Sequence, residues 1–171
     1  VSTPPVRLKG KWAQGIQPRH FTWVIKDALA LCERPGGYGP NHRRVRRQEE
    51  IIWLREQGFG CVISLIPAPH NLHNYAELGL ASQHHPLLDD RAAALGRLYP
   101  ELRRLLTEKT KVVIHAEGVD DRVTGVIGGY LRWSGMVPGQ PQAVAIVERI
   151  TGRQLETEAR SLIAMAPGIG R

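Results

Sequence analysis

An α/β fold, with a mixed central sheet flanked by helices, is predicted by three features of the sequence. Short runs rich in β-branched residues read as buried strands, above all Cys61-Val62-Ile63-Ser64-Leu65-Ile66 and Lys111-Val112-Val113-Ile114-His115. Longer segments repeat apolar residues at i, i+3, i+4 and i+7, most clearly over 91–109 through Leu95, Leu98, Tyr99, Leu102, Leu105 and Leu106. The two patterns alternate along the chain, which places helices against the faces of a sheet.

Taken in order, residues 1–19, with Pro4, Pro5, Gly10, Gly15 and Pro18, read as an irregular basic arm, and 20–171 as a single domain. A chain of 171 residues buries one good core and is short for two. Phe21 to Ile25 and Leu29 to Cys32 suggest a hairpin turning at Lys26-Asp27, and the Gly- and Pro-rich stretch 33–42 a loop. A helix over 43–57 would point Val45, Ile51 and Leu54 inward and stop at Gly58. After the strand ending at Pro67, the pattern predicts a loop with one helical turn near 75–78, then a strand over 82–88. Pro100 should interrupt and kink the helix over 91–109. Helices over 122–134, 140–150 and 155–165 complete the domain, with Tyr130 and Trp133 in its core.

Charge narrows the classes of partner. Residues 1–47 hold ten Lys or Arg against Asp27 and Glu33, a net of +8 in a chain whose total is +7. That asymmetry points to a polyanionic partner, whether a phosphorylated protein, an acidic membrane surface or, through the basic N-terminal part, nucleic acid; a merely solvated basic face accounts for it equally well. Arg43, Arg44, Arg46 and Arg47 open a helix, where the macrodipole disfavours positive charge. No apolar stretch approaches the roughly 18 residues of a membrane span, and the start lacks a signal-peptide pattern, so the expected location is cytoplasmic. Cys32 and Cys61 form neither a disulfide framework nor a zinc spacing. His84 and His85 point to opposite faces of a strand and so make a poor metal pair even beside Asp89 and Asp90. Neither metal nor cofactor is expected.

The chemistry-bearing segment follows the strand at 111–115. A strand entering a tight loop that opens a helix gathers backbone N–H groups and a helix N-terminus, which suits an anion. The loop reads His115-Ala116-Glu117-Gly118-Val119-Asp120-Asp121-Arg122, then Val123-Thr124-Gly125. In this motif and in the order of elements over 20–165, the chain resembles the cysteine-dependent protein tyrosine phosphatases, in particular the compact dual-specificity group. That family's motif is His, Cys, five residues, Arg, then Ser or Thr. His115 and Arg122 match it, and Ala116 stands at the cysteine position.

The resemblance implies a dual-specificity-phosphatase-like fold. It also implies a phosphate loop over 117–122 with His115 shaping it, Arg122 gripping phosphate oxygens as a planar fork, and Asp89 or Asp90 as general acid. Three departures bear on function. Ala116 carries no nucleophilic atom. The family's glycine three places after the cysteine is Val119, with Gly118 one place early. The hydroxyl directly after Arg is Val123, with Thr124 displaced by one. Glu117, Asp120 and Asp121 would also oppose a phosphate unless they face away. The leading expectation is a catalytically silent module that binds a protein partner or phosphate-like anion through the loop at 115–124 or the basic N-terminal face. The alternative is an active phosphatase, on phosphoprotein or a small phosphate ester, whose nucleophile has been exchanged for Ala116. A different hydrolase using Asp120 or Asp121 as base has no motif in its favour.

Overall fold

The computed structural model describes residues 15–37, 40, 43–69 and 71–170, so the expected arm lies outside the described residues up to position 14. Strands β1 (Thr22–Ile25) and β2 (Leu29–Glu33) form the antiparallel hairpin. Its turn places Asp27 at φ 61°, a left-handed position that Asp tolerates better than most residues. Helix α1 (Arg44–Glu56) leads to β3 (Cys61–Ser64), α2 (His73–Glu77) to β4 (Ala81–His84), and α3 (Arg91–Thr107) to β5 (Val112–Ala116). Three helices follow: α4 (Asp121–Trp133), α5 (Gln140–Thr151) and α6 (Thr157–Met165), closed by a 3-10 turn at Ala166–Gly168.

The sheet order is β1-β2-β5-β3-β4, antiparallel only at the hairpin edge. β5 is the central strand, pairing in parallel with β2 (Leu31 opposite Ile114) and with β3 (Ile63 opposite Ile114). All five of its residues are buried, as expected of a parallel strand covered on both faces. Period-2 alternation divides the core. Leu31, Ile63, Val112, Ile114 and Ala116 pack with α3–α6, whereas Ala30, Cys32, Val62 and Val113 pack with Ile51, Leu54 and Tyr75 from α1 and α2. Cys61 is an ordinary buried thiol, its pKa pushed up to about 11 by desolvation first.

Four local expectations are corrected. β4 stops at His84 instead of continuing to Leu88, because Pro86 has no N–H to extend the ladder. The helical turn expected at 75–78 is α2, starting two residues earlier. Val45 is 66% exposed, because six residues at about 100° each put it roughly 240° round α1 from the buried Ile51. α3 continues without interruption through Pro100, which sits on the exposed side, where the carbonyl four residues back can be hydrated. Tyr130 and Trp133 are core residues as predicted, meeting Tyr99 edge-on and tilted respectively, and the Tyr99 hydroxyl donates to Val126 O at 2.9 Å. Among the described residues no helix is long and apolar enough to cross a membrane.

The α4–α6 contact brings the C-terminal helix to the loop. Gly125 makes it close-packed, since a Cβ there would lie 2.6 Å from Ala159 Cα and 2.9 Å from a methyl of Leu162. Gly125→Val is expected to destabilise the fold by about 1–3 kcal/mol through overpacking, measured as a lower midpoint in urea with unchanged slope. A midpoint equal to that of the unmodified protein would mean the two helices can separate at no cost.

Candidate functional site

β5 delivers two neighbouring side chains to opposite faces at the head of the loop. His115 is buried on the α1–α2 face. Its Nδ1 lies 3.2 Å from Ala116 O and its Nε2 lies 3.1 Å from the Tyr75 hydroxyl. A carbonyl can only accept, so Nδ1 carries the proton and Nε2 accepts from Tyr75. Burial lowers the His115 pKa to about 4, with Arg34 and His84 adding in the same direction against the Ala116 carbonyl. The imidazole is therefore neutral at pH 7. Ala116 points to the other face, into the core beneath α3–α6, with 8% of its surface exposed.

Residues 117–120 then turn into α4 with no residue of 115–122 in the left-handed region, so Val119 fits without the glycine of the family pattern. Among the described residues, none of the backbone N–H groups from Glu117 to Arg122 has an acceptor. These six donors lie in a loop and at a helix N-terminus, both favourable to negative charge.

Each loop carboxylate has a partner in the chain. Asp120 caps its own helix by accepting from Val123 N at 3.0 Å. Asp121 reaches across to α6 and accepts from Glu156 N at 2.7 Å and Ala159 N at 2.8 Å. Glu117 pairs with the largely buried Arg34, whose Nη1 is 3.4 Å from both carboxylate oxygens. The loop tip is tethered by Arg153, whose guanidinium donates to Val119 O, and both residues line a cavity of about 520 Å³ together with Glu33. Thr124 is fully buried and donates to Asp121 O at 2.7 Å, so its hydroxyl serves the helix rather than the loop.

Arg122 closes the loop. Its Nε donates to Glu158 on α6 at 2.8 Å, and Arg91 donates to the same oxygen at 2.7 Å. Arg91 follows the Asp89-Asp90 pair directly. Asp90 caps α3 by accepting from Ala93 N at 3.0 Å, whereas Asp89 is exposed and makes no side-chain hydrogen bond among the described residues. Of the two, only Asp90 is engaged as a helix cap.

Other candidates fall outside this constellation. His84 Nε2 lies 2.7 Å from Ile66 O and His85 Nε2 lies 2.8 Å from Gln83 Oε1; burial lowers the His85 pKa. The arginine run of α1 is not uniformly solvated. Arg46 turns inward to the fully buried Glu50 and lies 3.6 Å from Glu33, and Glu50 in turn accepts from Gly36 N at 3.2 Å. Arg34, Tyr75, Arg91, Arg153 and Glu158 were not foreseen as parts of the site. They lie far from the loop in sequence and carry no local motif.

No protein-family model matches the chain, and no curated protein matches it. Solved structures do. Kinase-associated phosphatase with its catalytic-site cysteine substituted by serine superposes with a TM-score of 0.73 at 21% identity, over 87% of this chain and 94% of that one. Tk-PTP in its active form gives 0.70 at 18%, over 87% and 97%. The core catalytic domain of the PP-IP phosphatase Siw14 from S. cerevisiae, in complex with citrate, gives 0.63 at 15%, over 89% and 88%. The fold is that of the dual-specificity and protein tyrosine phosphatases.

Two outcomes follow from the local geometry. The neutral buried His115 has a folded pKa below its unfolded value, so its contribution to stability is present above about pH 6.5 and is lost as pH falls toward about 4. His115→Asn should flatten the fall of the thermal midpoint between those pH values, and an unaltered slope would contradict the assignment. Asp121→Ala removes two N-terminal acceptors of α6 and is expected to cost about 1–2 kcal/mol in denaturant unfolding, well beyond the loss of an exposed carboxylate.

Proposed function

We propose that this chain is a phosphate-binding module of the phosphatase fold, which holds a phosphate monoester, as on a phosphoprotein, without cleaving it. One observation carries the reading. Six consecutive backbone N–H groups, Glu117 to Arg122, have no acceptor among the described residues, while the carboxylates of Glu117 and Asp121 are held by Arg34 and by the start of α6, and that of Asp120 is taken up in capping Val123 N. Backbone donors and a guanidinium in a strand–loop–helix turn suit the oxygens of a phosphate. Arg122 would supply the charge, and His115, buried and neutral, would fix the loop entry. The methyl of Ala116 cannot attack phosphorus, so a covalent phosphoenzyme cannot form at this position.

A second reading, an active phosphatase in which Ala116 has replaced the nucleophile, draws support from Asp89. That exposed carboxyl follows β4 and is uncommitted, as a general acid requires. Both readings predict the same cradle and differ in whether the chemistry can be restored.

Two measurements test them. Inorganic phosphate titrated into the ¹⁵N-labelled protein should shift the amides of 117–122, and Arg122→Ala should abolish the shifts; a silent loop in large phosphate excess rejects the cradle. Ala116→Cys should gain hydrolysis of an aryl phosphate, and adding Arg122→Ala should reduce that by at least about a hundredfold. Phosphate binding without turnover in Ala116→Cys would retain the binding module and remove the second reading.

A further inference from the structure

Three helices begin at one corner of the molecule. Arg91 is the first residue of α3, Arg122 the second of α4 and Glu158 the second of α6. A single oxygen of Glu158 lies 2.7 Å from the Arg91 guanidinium and 2.8 Å from Arg122 Nε. Two cations therefore share one acceptor atom, and the three side chains together carry a net +1. Arg91 Nε is buried without a hydrogen-bond partner among the described residues, so this guanidinium has donor capacity to spare. The corner already holds an anion, and that anion belongs to the chain.

The bond matters because of which edge of Arg122 it uses. A guanidinium grips phosphate best through two parallel N–H donors, and Glu158 takes the Nε donor of one such edge. The Glu158 side chain is 31% exposed and among the described residues its side-chain partners are the two arginines, so it can swing into water without opening the core. Resting on the phosphate-binding reading above, we infer that Arg91 and Arg122 form one dianion site beside the loop, in which the Glu158 carboxylate is the resting occupant and exchanges with an incoming phosphate monoester. Arg91 thereby becomes a ligand-binding residue, and Glu158 sets a threshold that an anion must exceed.

Charge fixes the ligand class. With Glu158 swung away, the two guanidiniums present +2. A phosphate monoester, close to −2 at neutral pH, balances that charge, whereas a diester brings only −1, no more than the carboxylate it must displace. The site should therefore select monoesters over diesters. It should also weaken steeply as the monoester takes up its second proton near pH 6.

The test titrates the full chain with phenyl phosphate and with diphenyl phosphate at neutral pH, following the amide resonances of 117–122. Phenyl phosphate is expected to bind and diphenyl phosphate to fail. Glu158→Gln, which removes the competitor and keeps the side-chain shape, should tighten phenyl phosphate binding by about fivefold or more. Arg91→Ala should weaken it by about tenfold and cancel the gain of Glu158→Gln in the double variant. Circular dichroism on each variant separates these changes from unfolding. Binding that is unchanged or weaker in Glu158→Gln, unchanged in Arg91→Ala, or equal for the two esters overturns the exchange while leaving the loop as a phosphate site. Absence of phenyl phosphate binding in every variant, Glu158→Gln included, overturns the phosphate reading as well.

Discussion

Asp121 is the joint on which the loop end of the molecule depends. It opens α4, yet both its carboxylate oxygens accept from backbone N–H groups at the start of α6, and its backbone oxygen accepts from Thr124. A short acidic side chain shared between two helix N-termini satisfies donors that would otherwise be orphaned and is favoured there by both dipoles. The glycine at 125 then lets Ala159 approach the α4 backbone closely. Through these contacts the C-terminal helix, remote in sequence, carries Glu158 to Arg122. The loop and the last helix are one structural unit.

The same joint settles the electrostatic problem posed by three carboxylates in one short loop. An unscreened pair of like charges at 4 Å is worth about 4 kcal/mol at an effective dielectric of 20, enough to erase modest phosphate affinity. Here Asp120 and Asp121 are spent as helix caps, and Glu117 lies against Arg34. Their charge near a bound anion is partly answered by the donors that hold them. Each loop carboxylate is thus engaged by a donor of the chain, and a fourth carboxylate, Glu158, reaches Arg122 from outside the loop.

Burial of His115 and Tyr75 plays a quieter role. Desolvation raises the Tyr75 pKa and lowers that of His115, so the pair stays neutral and the Tyr75 hydroxyl donates to the ring. A neutral pair can lie inside the core at small cost, whereas an imidazolium there would require a counter-charge. Strand β5 therefore enters the loop from a buried, uncharged support, and the arginines beside the loop, Arg91 and Arg122, are partly exposed.

Much of this was legible in the sequence. The apolar runs at Cys61 and Val112, the amphipathic spacing through Leu95 to Leu106, and the strand–loop–helix signature from His115 to Arg122 are local patterns, and local patterns determined the α/β class and the position of the loop. Where a pattern was weak, neighbours decided. Val45 faces water because Ile51 and Leu54 set the phase of α1, and β4 ends early because Pro86 cannot pair. The absence of a thiol at Ala116 was likewise fixed by the sequence, since no fold supplies a missing atom. What only the tertiary structure decided is which charges meet. Arg34 finds Glu117 across 83 positions, and Glu158 finds Arg122 across 36. Such pairs depend on where helices dock, docking depends on packing at Gly125 and on the reach of Asp121, and neither leaves a period or motif along the chain.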